Sequence, residues 1–124
     1  MHKLKGRVAV VAGATRGAGR GIARGLGEAG ATVYCTGRST RGKPSPYGRP
    51  ETIEETAELV TAAGGTGVPV RVDHTIETKV RDLFARVGKE AGRLHALVNS
   101  VAGDGPALAW QHPLAKFARI KAWR

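Results

Sequence analysis

The residues best suited to chemistry lie in "GATRGAGRGIA", Gly13 to Ala23, where four glycines fall within nine residues after an apolar run. Glycine allows a tight turn and lets a ligand approach the bare backbone. The first turn of a helix adds unpaired N–H groups and the positive end of the helix dipole, which suits a phosphate. Gly13, Gly17 and Gly19 stand between a strand pattern and a helix pattern, where a pyrophosphate belongs. Their spacing is Gly-x3-Gly-x-Gly, not the Gly-x-Gly-x2-Gly of the common dinucleotide fingerprint. A close-packed strand–helix turn with no ligand could carry the same glycines. The nucleotide is favoured because the stretch opens a repeated strand–helix pattern.

The elements that must position this turn follow from periodicity. "RVAVVA", Arg7–Ala12, reads as a buried parallel strand. Ala18, Ile22, Leu26 and Ala29 recur at helical spacing, and Gly30 stops that helix. "TVYCT", Thr32–Thr36, is a second strand. Gly37 to Pro50, "GRSTRGKPSPYGRP", is a loop with three prolines, and "TIEE" from Thr52 is a capping box. Ile53, Ala57 and Val60 give the next helix its face, closed by Gly64 and Gly65. "GVPVRV", Gly67–Val72, is a third strand whose proline suits an edge. Thr75 can cap a helix striped by Ile76, Val80, Leu83, Phe84, Val87 and Ala91, ended by Gly92. "HALVN", His95–Asn99, is a fourth strand. This β-α-β-α-β-α-β order calls for a parallel α/β sheet with right-handed crossovers.

In this setting the sequence resembles the short-chain dehydrogenase/reductase family. "AGATRGAG", Ala12–Gly19, is similar to that family's Thr-Gly-x3-Gly-x-Gly cofactor motif, with Ala12 in place of the Thr. "LVNSVAG", Leu97–Gly103, is similar to its Asn-Asn-Ala-Gly motif, with changed residues and an insertion. Asp73 matches the acidic residue that contacts adenine. The resemblance covers roughly residues 4 to 105 and implies the N-terminal half of a Rossmann-type doubly wound sheet, strands in the order 3-2-1-4. It divides the chain into a half-domain, residues 1–105, that binds NADP, and a basic tail, 106–124, with a helical pattern.

The charges then select the dinucleotide. Arg38 lies nineteen residues beyond Gly19, at the end of the second strand. A guanidinium meets a phosphate as a bidentate fork, and Arg16 in the glycine loop can approach the same group. In the family, basic residues at these two places go with NADP. No acid lies between Thr32 and Pro50, so NADP(H) is favoured over NAD(H), although two ordinary surface arginines would look the same. Thr15 completes the loop, and Ser39 and Thr40 can add hydroxyl contacts. His74 could touch the adenine or be a plain loop histidine, the simpler view. Asn99 matches the family asparagine that steadies the central strands and lines the cofactor site.

The catalytic part of the resemblance fails. Carbonyl reduction in this family needs a Tyr with a Lys four residues later, because a phenol with a pKa near ten is a poor acid at neutrality without a nearby positive charge. Tyrosines stand only at 34 and 47, with Arg38 and Glu51 four residues on, and no serine follows Ser100. No catalytic residue is assigned. The chain is expected to be the truncated N-terminal portion, without turnover. Its tail, Gly105–Arg124, carries Lys116, Arg119, Lys121 and Arg124 and no acid. It is either the start of the next family helix or an altered end. The outer edge of strand four would then be bare unless the tail folds over it, and bare edges recruit partners, a second copy among them, or aggregate.

Composition sets the outer bounds. The 124 residues suffice for one domain, and 41% hydrophobic with 5% aromatic residues suits a small aliphatic core. The net charge of +10 points to a polyanionic or phosphorylated partner, yet no run of five or six like charges marks a nucleic-acid patch. The alternatives to an oxidoreductase are a non-catalytic NADP(H)-binding or pairing module and, third, a nucleic-acid binder. Cys35 is the only cysteine, without disulfide partner or metal spacing, so a reducing cytoplasm is the default. "VAVVAGA" is too short for a membrane span, and no membrane partner is expected.

Overall fold

Val8–Ala12 is apolar and buried along its whole length, as a strand covered on both faces must be. It forms β1 at the centre of a parallel sheet. In a computed structural model describing residues 2–44 and 49–101, the elements follow as α1 (Gly17–Glu28), β2 (Thr32–Gly37), α2 (Ile53–Ala63), β3 (Thr66–Arg71), α3 (Glu77–Ala91) and β4 (Ala96–Asn99). The sheet order is β3-β2-β1-β4 and every pairing is parallel. This is the N-terminal half of a Rossmann-type sheet, as the sequence implies. The strand limits move by a residue at the ends; His95 stays outside β4, where its Nδ1 accepts the Val8 N–H at 2.9 Å.

Strand periodicity distributes the core between two faces. Val11, Val33 and Cys35 pack with Ala23 of α1 and with Ala57 and Val60 of α2. Val8, Val10 and Tyr34 turn the other way and pack with Val72, Leu83 and Val87 on the α3 side. Each fully buried valine contributes about 1.5–3 kcal/mol relative to exposure. Pro69 pairs opposite Cys35 on β3, the edge strand, where its missing N–H costs no ladder bond.

Three sequence expectations are corrected. The buried face of α1 is Gly19, Ala23 and Gly27; of the expected stripe Ala18 and Ile22 are exposed, whereas Leu26 packs half-buried against the core. Ile22 is 42% exposed. The helix lies too close to α2 for large side chains: a Cβ on Gly27 would stand 2.8 Å from the Val60 carbonyl oxygen. Thr75 does not cap α3. Its N–H and hydroxyl donate to Asp73 Oδ1 at 3.0 and 2.6 Å, and the helix begins after Ile76. The α3 stripe is also shorter than expected, with Leu83 and Val87 buried and Ile76 and Ala91 exposed.

Among the described residues β4 bonds only to β1, and Leu97 is 57% exposed. Tyr47, Gly103 and the tail of residues 106–124 lie outside the described residues.

Candidate functional site

The glycine turn is built from the end of β1 outward. The N–H groups of Gly13 and Ala14 both donate to Thr36 O, at 3.1 and 2.9 Å, which hooks the turn onto the end of β2. Gly13 has φ +81, a left-handed conformation, and a Cβ there would lie 2.6 Å from Ser100 O on the chain leaving β4. A Cβ on Gly19 would strike the Gly13 carbonyl, so α1 starts directly against the turn. A Cβ on Gly17, the first helical residue, would meet nothing within 4 Å. The backbone there is bare and faces open space.

The starts of α1 and α2 differ in a telling way. At α2 the Thr52 hydroxyl accepts the Glu55 N–H at 3.2 Å, and Glu55 Oε1 accepts the Thr52 N–H at 3.1 Å. That helix satisfies its own first turn. At α1 the N-cap is Arg16, which has no acceptor to offer, and no acid stands in the first turn. Its amides and the positive dipole end remain available to an anion. These residues fit the pyrophosphate of a dinucleotide.

Two arginines that flank the turn do different work. Arg20 is a clamp the sequence gave no sign of: Nε donates to Thr15 O at 3.1 Å and Thr56 Oγ1 at 3.0 Å, and Nη2 donates to Thr52 O at 3.1 Å. It ties the glycine turn to the start of α2. Arg16 does not stand open toward a phosphate as expected. Its Nε lies 3.6 Å from Glu51 Oε1, with both side chains 31% exposed. Glu51 falls one residue past the acid-free stretch that the charge argument considered. Its own backbone N–H, then the charges of Arg16, Arg49 and Arg20, hold its carboxyl below the usual carboxylate range.

The remaining candidates gather at the same carboxyl edge of the sheet. Thr15 is buried, its hydroxyl packed against Gly37, where a Cβ would come within 2.5 Å of it. Arg38 follows β2 directly, half-buried, and its charge helps to lower the Asp73 carboxyl. The larger cause of that lowering is the hydrogen bond from Thr75. Ser39 is buried, and its carbonyl accepts the Ile53 N–H at 2.9 Å, which anchors α2 to the loop after β2. Thr40 closes a small turn, exchanging backbone bonds with Lys43. His74 shares a 2.7 Å hydrogen bond with Thr36 Oγ1, and burial pushes its pKa below the ordinary value. That bond ties the turn after β3 to β2. Asn99 Oδ1 accepts the Val101 N–H at 3.2 Å and shapes the turn after β4.

Other reactive groups are occupied. Tyr34 donates to Glu90 Oε1 at 2.9 Å, and burial first, then this bond, raises its pKa. Cys35 is buried and its thiol is pushed up to about 12, far from a nucleophile. Among the described residues no group of His, Cys, Asp or Glu could hold a metal ion. Among them also, no helix is long and apolar enough to cross a membrane.

The chain leaves β1 through α1 to β2 on one side, and β4 lies on the other. Ligands of open α/β sheets bind at such a reversal, outside the carboxyl ends of the strands. All ten candidate residues, from Gly13 to Asn99, sit in or beside that edge.

Comparison with known proteins agrees with this geometry. The family model described as short chain dehydrogenase matches residues 7–123. The chain is 46% identical over 98 residues to the mouse dehydrogenase/reductase SDR family member 1, covering 78% of this chain and 28% of that protein. It is 35% identical over 100 residues to an uncharacterised oxidoreductase of Methylorubrum extorquens, covering 81% of this chain and 37% of that one. It therefore spans about a third of the length of these relatives. Among solved structures, a hydroxysteroid dehydrogenase from Escherichia coli aligns with a TM-score of 0.77 at 26% identity, over 98% of this chain and 45% of that one. A Burkholderia cenocepacia protein assigned as a dehydrogenase, solved with bound NADP, aligns with a TM-score of 0.63 at 29% identity, over 80% of this chain and 35% of that one. The chain belongs to the short-chain dehydrogenase family.

Proposed function

We propose that this chain is the adenosine- and pyrophosphate-holding part of an NADP-dependent oxidoreductase, and that on its own it binds NADP(H) without turning over a substrate. The observation that carries the reading is the open N-terminus of α1, set beside the bare backbone of Gly17 at the sheet's reversal point. The amides after Arg16 would hold the pyrophosphate. Arg38, with Arg16, would hold a 2′-phosphate, and Asp73 and His74 stand where the adenine would lie. The cofactor, when bound, supplies the hydride. What these residues contribute is binding and orientation.

No Tyr with a Lys four residues later exists within the 124 residues, so the chain has no proton donor of the family type. Residues 1–105 form the binding unit in this reading. A cytoplasmic setting suits its single buried cysteine. The side of β4 that no other described strand pairs, with Leu97 exposed, is the surface through which a second copy would associate.

The test is titration of the purified chain with NADPH and, separately, NADH. The expected result is tighter binding of NADPH, with the difference lost in Arg38→Ala. Binding of neither nucleotide would refute the reading, and NADPH oxidation by the chain across several carbonyl compounds would refute its inactivity.

A further inference from the structure

Five ion pairs join described residues, and four of them are surface pairs between side chains 43% to 77% exposed. The fifth, Arg16–Glu51, is different. It is the least exposed, and its partners stand 3.6 Å apart without a hydrogen bond. Arg16 Nε and Nη2 and Glu51 Oε1 are sealed from solvent, and none has a hydrogen-bond partner. Unmet polar atoms of this kind are unfavourable and rare in native structures. The pair attracts electrostatically but leaves these three atoms without hydrogen bonds.

Its position is fixed from both sides. Arg16 is the N-cap residue of α1, next to the open amides. Glu51 directly precedes Thr52, whose carbonyl is held by Arg20 and whose N–H is held by Glu55. Glu51 is therefore a negative charge set against the cation that would receive a 2′-phosphate.

We propose that Glu51 is a specificity-determining residue of the cofactor site, a carboxylate that occupies Arg16 and weakens the preference for a 2′-phosphorylated adenosine. This rests on the nucleotide-binding reading above. A phosphate arriving at Arg16 can satisfy the guanidinium N–H groups with two parallel bonds, which the carboxylate at 3.6 Å does not. The same phosphate meets the charge of Glu51 as a repulsion. Discrimination against a wrong ligand commonly uses such a repulsive element.

The test uses the whole chain and two small probes, adenosine 2′,5′-bisphosphate and 5′-AMP, with binding followed by calorimetry. Glu51→Gln keeps the shape and removes the charge. It should raise the affinity ratio of bisphosphate to 5′-AMP by about fivefold, the upper end for one half-exposed charge pair. In an Arg16→Ala background the same change should leave the ratio unaltered, because the two residues act as a unit. Glu51→Ala serves as a second variant, and the thermal transition of each confirms folding. An unchanged or lowered ratio in folded Glu51→Gln, or an equal rise for both probes, overturns the proposal while the binding reading stands. If the parent chain binds neither these probes nor NADPH and NADH, the binding reading itself fails, and the proposal with it.

Discussion

Helix α1 has five glycines in twelve residues, and the structure assigns them opposite responses to the same substitution. Ala is favoured over Gly inside a helix by about 1 kcal/mol. At Gly21 and Gly25 an added Cβ meets nothing within 4 Å. Gly21→Ala and Gly25→Ala should therefore each stabilise the chain by about 0.5–1 kcal/mol. At Gly27 the Cβ would stand 2.8 Å from Val60 O, 2.9 Å from Val60 Cγ1 and 3.0 Å from Val60 Cα. Two of those atoms are backbone inside α2 and cannot rotate away. Overpacking of this kind costs about 1–3 kcal/mol, which outweighs the propensity gain. Gly27→Ala should be destabilised by about 1 kcal/mol, leaving roughly 2 kcal/mol between it and Gly25→Ala. In a domain of this size that gap separates thermal midpoints by about 8–10 °C. Thermal and urea unfolding, followed by circular dichroism, read the ordering directly. If Gly27→Ala is as stable as Gly25→Ala, the close approach of α1 to α2 is wrong, and with it the explanation for the buried glycine face.

Arg20→Met should destabilise by about 2–3 kcal/mol, because it removes three hydrogen bonds from a charged donor to the Thr15 and Thr52 carbonyls and the Thr56 hydroxyl. Urea unfolding measures the loss, and a change below half a kcal/mol would remove the clamp from the account. Cys35 should resist a disulfide reagent in the folded chain and react at once in urea, since burial pushes its thiol up to about 12; rapid native-state labelling would contradict the core position. His74, whose pKa burial depresses below 6.5, favours the folded state only when neutral. Its contribution is therefore complete above the unfolded value and is lost as pH falls from there through the folded value. Stability measured against pH should fall more steeply on the acid side in the parent than in His74→Gln, and identical profiles would show that the burial of His74 carries no linkage.

What the sequence disclosed depended on whether the signal was local. The capping box of Thr52 and Glu55 is a four-residue pattern, and it forms as read. Alternation gave the parallel sheet, the family resemblance its strand order, and the missing N–H the edge position of Pro69. The face of α1 was misread because periodicity counts side chains, whereas this helix packs through their absence at Gly19 and Gly27. Ile22 and Leu26 were the visible stripe, and Ile22 points outward. Thr75 looked like a cap because its hydroxyl is a good acceptor, but an aspartate two residues earlier captures it first. The contacts of Arg16 with Glu51 and of Arg20 with Thr56 span 35 and 36 residues, and nothing in a linear pattern announces a partner at that distance. For the same reason the absence of acids from Thr32 to Pro50 was a weaker argument than it looked: the next residue, Glu51, is the one that folds back.

The three helix starts show where the chain has spent its local stability. Each helix begins with amides that need acceptors. At α2 the sequence supplies them within four residues, and at α3, which has no side-chain cap, Glu77 at least places an acid in the first turn. At α1 it supplies none, and it adds glycines that make the helix intrinsically poor. Such a helix is held from outside, by the Arg20 clamp at one end and by contact with Val60 at the other. Those contacts set the position of α1 without covering its first turn. They leave the uncapped helix end, whose amides suit an anion, where β1 runs between β2 and β4. A ligand that completes that turn supplies contacts the polypeptide has withheld, so binding should also raise the stability of the fold. The low helix propensity of α1 and its open start are then two consequences of one requirement, a backbone that can be approached closely without being loose.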